Sequence, residues 1–165
     1  MVDFEKNQLE GSPHHFLKQL AGSWSGQTHT WFEPGGSPSV SKTQGSIQIL
    51  LEGRFAIYIY QTVVDGEPQH GMFIFGYNTN LDCYEASWID SFHNNTAIMF
   101  CTGDHLENGF WVRGSYPDPS GGPDWSWRTE VTLVNPEHLT ITAFNIMPEG
   151  PEAKAIETLL NRLPG

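Results

Sequence analysis

The stretch FAIYIYQTVVDGEPQHGMFIFGY, residues 55–77, decides how this chain is read. Two runs rich in β-branched and aromatic residues, Phe55 to Val64 and Gln69 to Tyr77, flank Asp65-Gly66, a pair suited to positive φ at the centre of a tight hairpin turn. With Asp65 and Gly66 as the turn, Val64 faces Glu67, and counting back sets Tyr60 opposite Gly71 and Tyr58 opposite Phe73. Ala56, Tyr58, Tyr60, Phe73 and Phe75 then share one face, while Phe55, Ile57, Ile59, His70, Met72 and Ile74 share the other. A sheet with one wet face alternates apolar with polar residues, and this hairpin does not. Each face therefore needs a cover. A barrel interior covers one; the other needs the short helix or a second copy of the chain, a homodimer through Ile57, Ile59, Met72 and Ile74.

Working outward, similar runs recur at fairly even intervals: Ser23 to Phe32, Val40 to Leu51, Cys83 to Ser91, Thr96 to Thr102, Phe110 to Tyr116, Trp125 to Val134, Leu139 to Ile146 and Ala153 to Leu163. The last is ambiguous between strand and helix. Glu52-Gly53 supplies a second two-residue hairpin signal. About ten consecutive up-and-down strands predict an all-β, antiparallel barrel, which leaves no exposed edge, with a flattened sandwich as the alternative. One helix precedes them over Pro13 to Leu20, capped by Ser12, with Phe16, Leu17 and Leu20 on one face before Gly22. Glu33 to Pro38 and Pro117 to Pro123 read as rim loops. A length of 165 residues fits one domain, 1–165, with 1–11 as a flexible N-terminal segment.

The formal charge of −11, with only 8 Lys and Arg, argues against nucleic acid and anionic membranes as partners. No apolar run approaches a bilayer's span, and Met1 to Glu10 is unlike a signal peptide, so a cytoplasmic location is expected. In that setting Cys83 and Cys101 read as buried thiols. Asn94-Asn95-Thr96 has the spacing of a glycosylation acceptor but reads as a turn. The seven histidines (His14, His15, His29, His70, His93, His105 and His138) form no metal-binding spacing, and His138, beside the Asn135-Pro136 turn, is poorly placed for haem. No metal or cofactor is expected.

Site candidates follow from period-two geometry. An inward Trp88 brings Tyr84, Ala86 and Asp90 to the same face. A carboxylate beside an indole suits a ligand anchor or a general acid or base; equally, Asp90 at a strand end suits accepting backbone hydrogen bonds from the Asn94-Asn95 turn. Tyr58 and Tyr60 offer phenols that stack on and hydrogen-bond a ligand, or simply pack. Trp125, Trp127 and Arg128 form another cluster, in which parity favours Trp127 inside with Thr129 and Val131 and leaves Arg128 at the rim, where it would pair a ligand carboxylate.

Gly22-Ser23-Trp24 after a short helix resembles the Gly-x-Trp start of lipocalins and other calycins, whose Trp plugs one barrel end. Trp31 to Gly36, Glu52 to Phe55, Gly76-Tyr77-Asn78, Tyr84 to Ser91 and Gly114 to Pro119 extend the likeness over nearly the whole chain. In this order they resemble the bacterial family catalogued as domain of unknown function 1579, which implies a calycin-like barrel and no agreed activity. Against the family's pattern, Thr142 stands where many members have Glu, Leu160 where a Tyr often precedes the terminal Arg162, and Phe73 where Gly is frequent; these departures imply a less acidic, more aromatic cavity.

The expected function is binding of a small apolar or aromatic molecule in a barrel lined by Trp24, Tyr58, Tyr60, Phe73, Phe75, Trp88, Asp90, Trp127 and Arg128. The alternative is a cofactor-independent lyase, isomerase or cyclase, with Asp90 and a Tyr or His exchanging protons.

Overall fold

The structure, a computed structural model, describes residues 4–165. Ten antiparallel strands, each paired with its neighbour in sequence, close into a barrel when the last pairs with the first. They are β1 (Gly22–Thr30), β2 (Ser39–Leu50), β3 (Phe55–Val64), β4 (Glu67–Asn78), β5 (Cys83–Asp90), β6 (Met99–Leu106), β7 (Gly109–Tyr116), β8 (Trp125–Asn135), β9 (His138–Ile146) and β10 (Glu152–Arg162). The β3–β4 register is the one that the Asp65-Gly66 turn implies: Val64 pairs with Glu67, Tyr60 with Gly71, and Tyr58 with Phe73. Both turn residues have positive φ, 51° and 82°.

Several local expectations are corrected. Glu52-Gly53 is not a two-residue hairpin loop, because Leu51–Gly53 forms a 3-10 turn with positive φ at all three residues. The sixth strand starts at Met99 rather than Thr96, since Asp90 and the Ala97 N–H to Asn94 carbonyl bond hold the preceding residues in a loop. The ambiguous final run is a strand. The helix α1 (Pro13–Gln19) has Pro13 in its first turn, but Ser12 makes no side-chain cap; its hydroxyl donates to the Asn7 carbonyl. Within the expected flexible segment, Phe4–Gln8 forms a 3-10 turn, with the Phe4 ring edge-on to His14 and beneath the Arg54 guanidinium; residues 1–3 lie outside the described residues.

The helix closes one end of the barrel. Leu17 and Leu20 are fully buried there, Phe16 packs edge-on against Phe110, and the Leu20 carbonyl accepts the Trp24 indole N–H at 2.9 Å. Arg162, at the end of β10, donates to the carbonyls of Gln19, Ala21 and Pro136 and lies over the Trp24 ring. One guanidinium thus ties the helix's exit to the last strand. Among the described residues no helix is long and apolar enough to cross a membrane.

Because the helix sits at the barrel end, it leaves the outer face of β3 and β4 uncovered: Ile59 is 48% exposed and Ile74 37%. Ile89 beside Met72, and Phe100 on β6, extend that surface. Cys101 is buried on the inner face, where burial pushes its thiol up to about 12, while Cys83 falls on the opposite face of β5 from Tyr84, Ala86 and Trp88. The two thiols cannot meet.

Candidate functional site

The open end lies opposite the helix. It is framed by the β3–β4 turn, the loop after Asp90 and the two Gly- and Pro-rich loops, as the ends of the strands dictate. Below it is a cavity offering about 60 Å³ to the centre of a water molecule, several times the roughly 10–15 Å³ that one water requires. Two chemically different walls face each other across it.

The first wall is aromatic. Tyr58 stacks on Tyr60 (5.0 Å between ring centroids), Phe73 on Trp88 (5.3 Å, within 1° of parallel) and Trp88 on Trp127 (5.3 Å). Inward positions on β3, β4, β5 and β8 supply these rings, and Gly71 makes room for one of them: a Cβ there would overlap the Tyr60 phenol. Tyr60 uses that space to accept the Trp88 indole N–H at 3.0 Å. Burial raises both phenol pKa values, and the Asp90 charge raises that of Tyr60 further, so both stay protonated.

The second wall is a row of hydroxyls on four adjacent strands, β10, β1, β2 and β3. Thr158 contacts Thr28 at 2.9 Å, Thr28 contacts Thr43 at 2.6 Å, Thr43 donates to Thr62 at 2.9 Å, and Thr62 reaches the Lys42 carbonyl at 3.2 Å. Two further polar atoms on β8, the Trp127 indole N–H and the Thr129 hydroxyl, are buried and have no hydrogen-bond partner among the described residues. Both residues line the cavity.

At the mouth stands Asp90. Its Oδ1 accepts the Asn94 backbone N–H at 2.6 Å, and its Oδ2 accepts the His93 backbone N–H at 3.0 Å and contacts His93 Nδ1 at 2.6 Å. Burial alone would raise its pKa, yet the hydrogen bonds and proximity of His93 and the Asn94 N–H outweigh that and hold the carboxyl below its ordinary value. An ionised carboxylate only accepts, so Nδ1 of His93 carries the proton at this contact, and Nε2 is the ring nitrogen not engaged by Asp90. The His93 ring packs against both Trp88 and Trp127.

Of the nine residues expected to line a site, the structure brings Tyr58, Tyr60, Phe73, Trp88, Asp90 and Trp127 together around the cavity. Trp24 is elsewhere, plugging the closed end as its resemblance implied. Phe75 lies one inward position deeper than Phe73 and packs on Phe110, below the cavity floor. Arg128 is corrected too. It points outward, pairs with Glu130 and Glu152 and covers the Phe144 ring, so its charge is already matched. Among the departures from the family pattern, only Phe73 lines the cavity; Thr142 pairs between the outward Glu130 and Glu157, and Leu160 lies toward the closed end. The expectation that Thr142 makes the cavity less acidic therefore falls. Sequence reasoning missed His93 and the threonine wall. The former left a usable signal, three residues after Asp90; the latter left none, because Thr28 and Thr158 are 130 residues apart. Among the described residues, no group of three or more His, Cys, Asp or Glu is placed to hold a metal ion.

Comparison with known proteins adds family and fold. No curated protein matches the chain. The solved structure described as the crystal structure of Rv2717c from M. tuberculosis is similar with a TM-score of 0.59 at 16% identity, covering 93% of this chain and 99% of that one. At that identity the likeness speaks for the barrel alone. A family model described as "Protein of unknown function (DUF1579)" matches residues 10–162, nearly the full length, and the chain belongs to that family.

Proposed function

We propose that the barrel binds a small, mainly aromatic molecule entering through its open end. The observation that carries this reading is the pair of orphaned polar atoms, Trp127 Nε1 and Thr129 Oγ1, on the wall of a cavity that stacked aromatic rings and a threonine row enclose. A buried donor without a partner costs about 1–3 kcal/mol, so a site that keeps two is one that an occupant or ordered water completes. The cavity's size suits one ring rather than a lipid chain. Protein purified without denaturation should release a small aromatic compound when unfolded, and that compound should quench tryptophan emission when added back; a core that releases nothing and responds to no aromatic probe overturns the reading.

A second reading, catalysis, is favoured by one contact, the 2.6 Å approach of Asp90 Oδ2 to His93 Nδ1. There Asp90 positions the ring, and Nε2 of His93, rather than Asp90, exchanges the proton. Turnover lost in His93→Gln while ligand binding persists would support it. The proposed setting is the cytoplasm, where unpaired thiols persist. The proposal extends to a homodimer through Ile57, Ile59, Met72 and Ile74, for which the exposure of Ile59 and Ile74 speaks.

A further inference from the structure

Resting on the binding reading above, we infer that the cavity selects an uncharged, planar heterocycle that offers N–H donors on one edge and a ring acceptor on another, an amino-substituted azine in chemical class. The argument begins with the proton order along the threonine row. The row ends on the Lys42 carbonyl, which has no proton to give, so the Thr62 hydroxyl must donate there. Thr43 donates to Thr62. Its proton being committed, Thr43 can only accept from Thr28, and Thr28 in turn can only accept from Thr158.

The direction of every bond in the row is thereby fixed, Thr158 to Thr28 to Thr43 to Thr62 to Lys42. No hydroxyl of the row has a proton left for an occupant. What the row presents to the cavity is lone pairs, and a ligand edge lying on it must donate. The β8 side has the opposite need: the Trp127 indole can only donate and has no acceptor, with the Thr129 hydroxyl unpaired beside it.

Charge narrows the class. Among the described residues no Lys or Arg lines the cavity, His93 is already turned to the Asp90 carboxylate, His70 is the other imidazole there, and the whole chain carries −11, so an anionic ring meets a carboxylate and no permanent counter-charge. The stacked rings of Tyr60, Phe73, Trp88 and Trp127 provide faces for a flat partner.

Tryptophan-emission titrations of the whole protein at neutral pH, checked by saturation-transfer NMR, test this with five single-ring probes. They are 2-aminopyrimidine (donor and ring acceptors), pyrimidine (acceptors only), aniline (donor without a ring acceptor), toluene (shape only) and benzoate (anion). 2-Aminopyrimidine should bind about tenfold more tightly than pyrimidine or toluene, the effect of one to two net hydrogen bonds, and benzoate should not bind. Thr43→Val keeps the shape but frees the Thr28 proton, and should reduce the preference for 2-aminopyrimidine over pyrimidine to about threefold or less. Trp127→Phe removes the unpaired donor and should bring 2-aminopyrimidine down to the affinity of aniline. Toluene, pyrimidine or benzoate binding as well as 2-aminopyrimidine overturns the polarity inference while leaving the binding reading intact, as does an unchanged preference in Thr43→Val. If no probe binds the unmodified protein, both fall together.

Discussion

Replacing Asp90 by Asn probes the joint on which the mouth of the cavity depends. The carboxylate receives three N–H groups from two consecutive residues, and an asparagine cannot receive all three. With its amide oxygen in the Oδ2 position it keeps both His93 contacts and leaves the Asn94 N–H facing an NH₂ group; with the oxygen at Oδ1 it keeps Asn94 and opposes the His93 backbone N–H. Either way one loop N–H loses its acceptor and the surviving bonds become neutral. A lost buried bond costs about 1–3 kcal/mol, and relieving the desolvated charge returns part of it, so the net destabilisation should be about 2 kcal/mol. For a chain of this length that is a fall in Tm of about 4–8 °C. Differential scanning calorimetry at pH 7 measures it. The pH dependence gives a second handle. Because the folded-state pKa lies below the ordinary 3.8, the stabilisation is complete above 3.8 and is lost as pH falls through the lower folded value. The gap between wild type and Asp90→Asn should therefore hold steady from neutral pH down to about 3.8, narrow below that as the unfolded chain takes up its proton first, and vanish below the folded value. A variant that melts with the wild type at pH 7, or a gap indifferent to acid, would refute the assignment of Asp90 as the anchor of the loop.

Three further substitutions test separate parts of the structure. Thr129→Val exchanges an unpaired buried hydroxyl for a methyl group and should raise the stability of the empty protein by about 1 kcal/mol while weakening 2-aminopyrimidine, whereas a destabilised variant would show that the hydroxyl has a partner. Gly26→Ala places a Cβ against the Leu159 carbonyl at the seam where β1 meets β10, and should cost about 1–3 kcal/mol in urea unfolding; a neutral result would dispute barrel closure at that seam. If two copies meet through the outer face of β3 and β4, sedimentation of the unmodified protein should give a dimer that Ile59→Glu converts to a monomer, and a wild-type monomer would refute the homodimer.

The fold was legible because a strand's side-chain period is two and a turn pair fixes the phase. Asp65-Gly66 set the register of twenty-odd residues, and from it every inward residue of β3 and β4 could be counted off. Where turn chemistry was less local the reading slipped. Glu52-Gly53 has the composition of a tight turn, yet Leu51 also adopts positive φ, a conformation that leucine gives no reason to expect. The loop after Asp90 likewise takes Thr96 to Ile98, which β propensity assigns to a strand: the carboxylate holds the His93 and Asn94 N–H groups, and the Ala97 N–H bonds the Asn94 carbonyl within the turn.

The site divides along the same line. Parity sets Tyr58, Tyr60, Phe73, Phe75, Trp88, Asp90 and Trp127 inside but carries no information about depth, and Phe75, like the Trp24 that the Gly-x-Trp resemblance supplies, fills the layers nearer the helix. Depth depends on the stagger accumulated around ten strands, which only the closed barrel defines. The threonine row shows the limit more sharply. Thr158, Thr28, Thr43 and Thr62 are unremarkable residues singly, and it is closure of β10 onto β1 that lines them up and forces their protons to run one way. Asp90, by contrast, stands where the sequence offers it two positions at once, lining the cavity and accepting the loop's N–H groups. The two roles are one arrangement: the bonds that tie down the loop also fix which nitrogen of His93 bears the proton, so any chemistry at the mouth inherits its geometry from a structural contact.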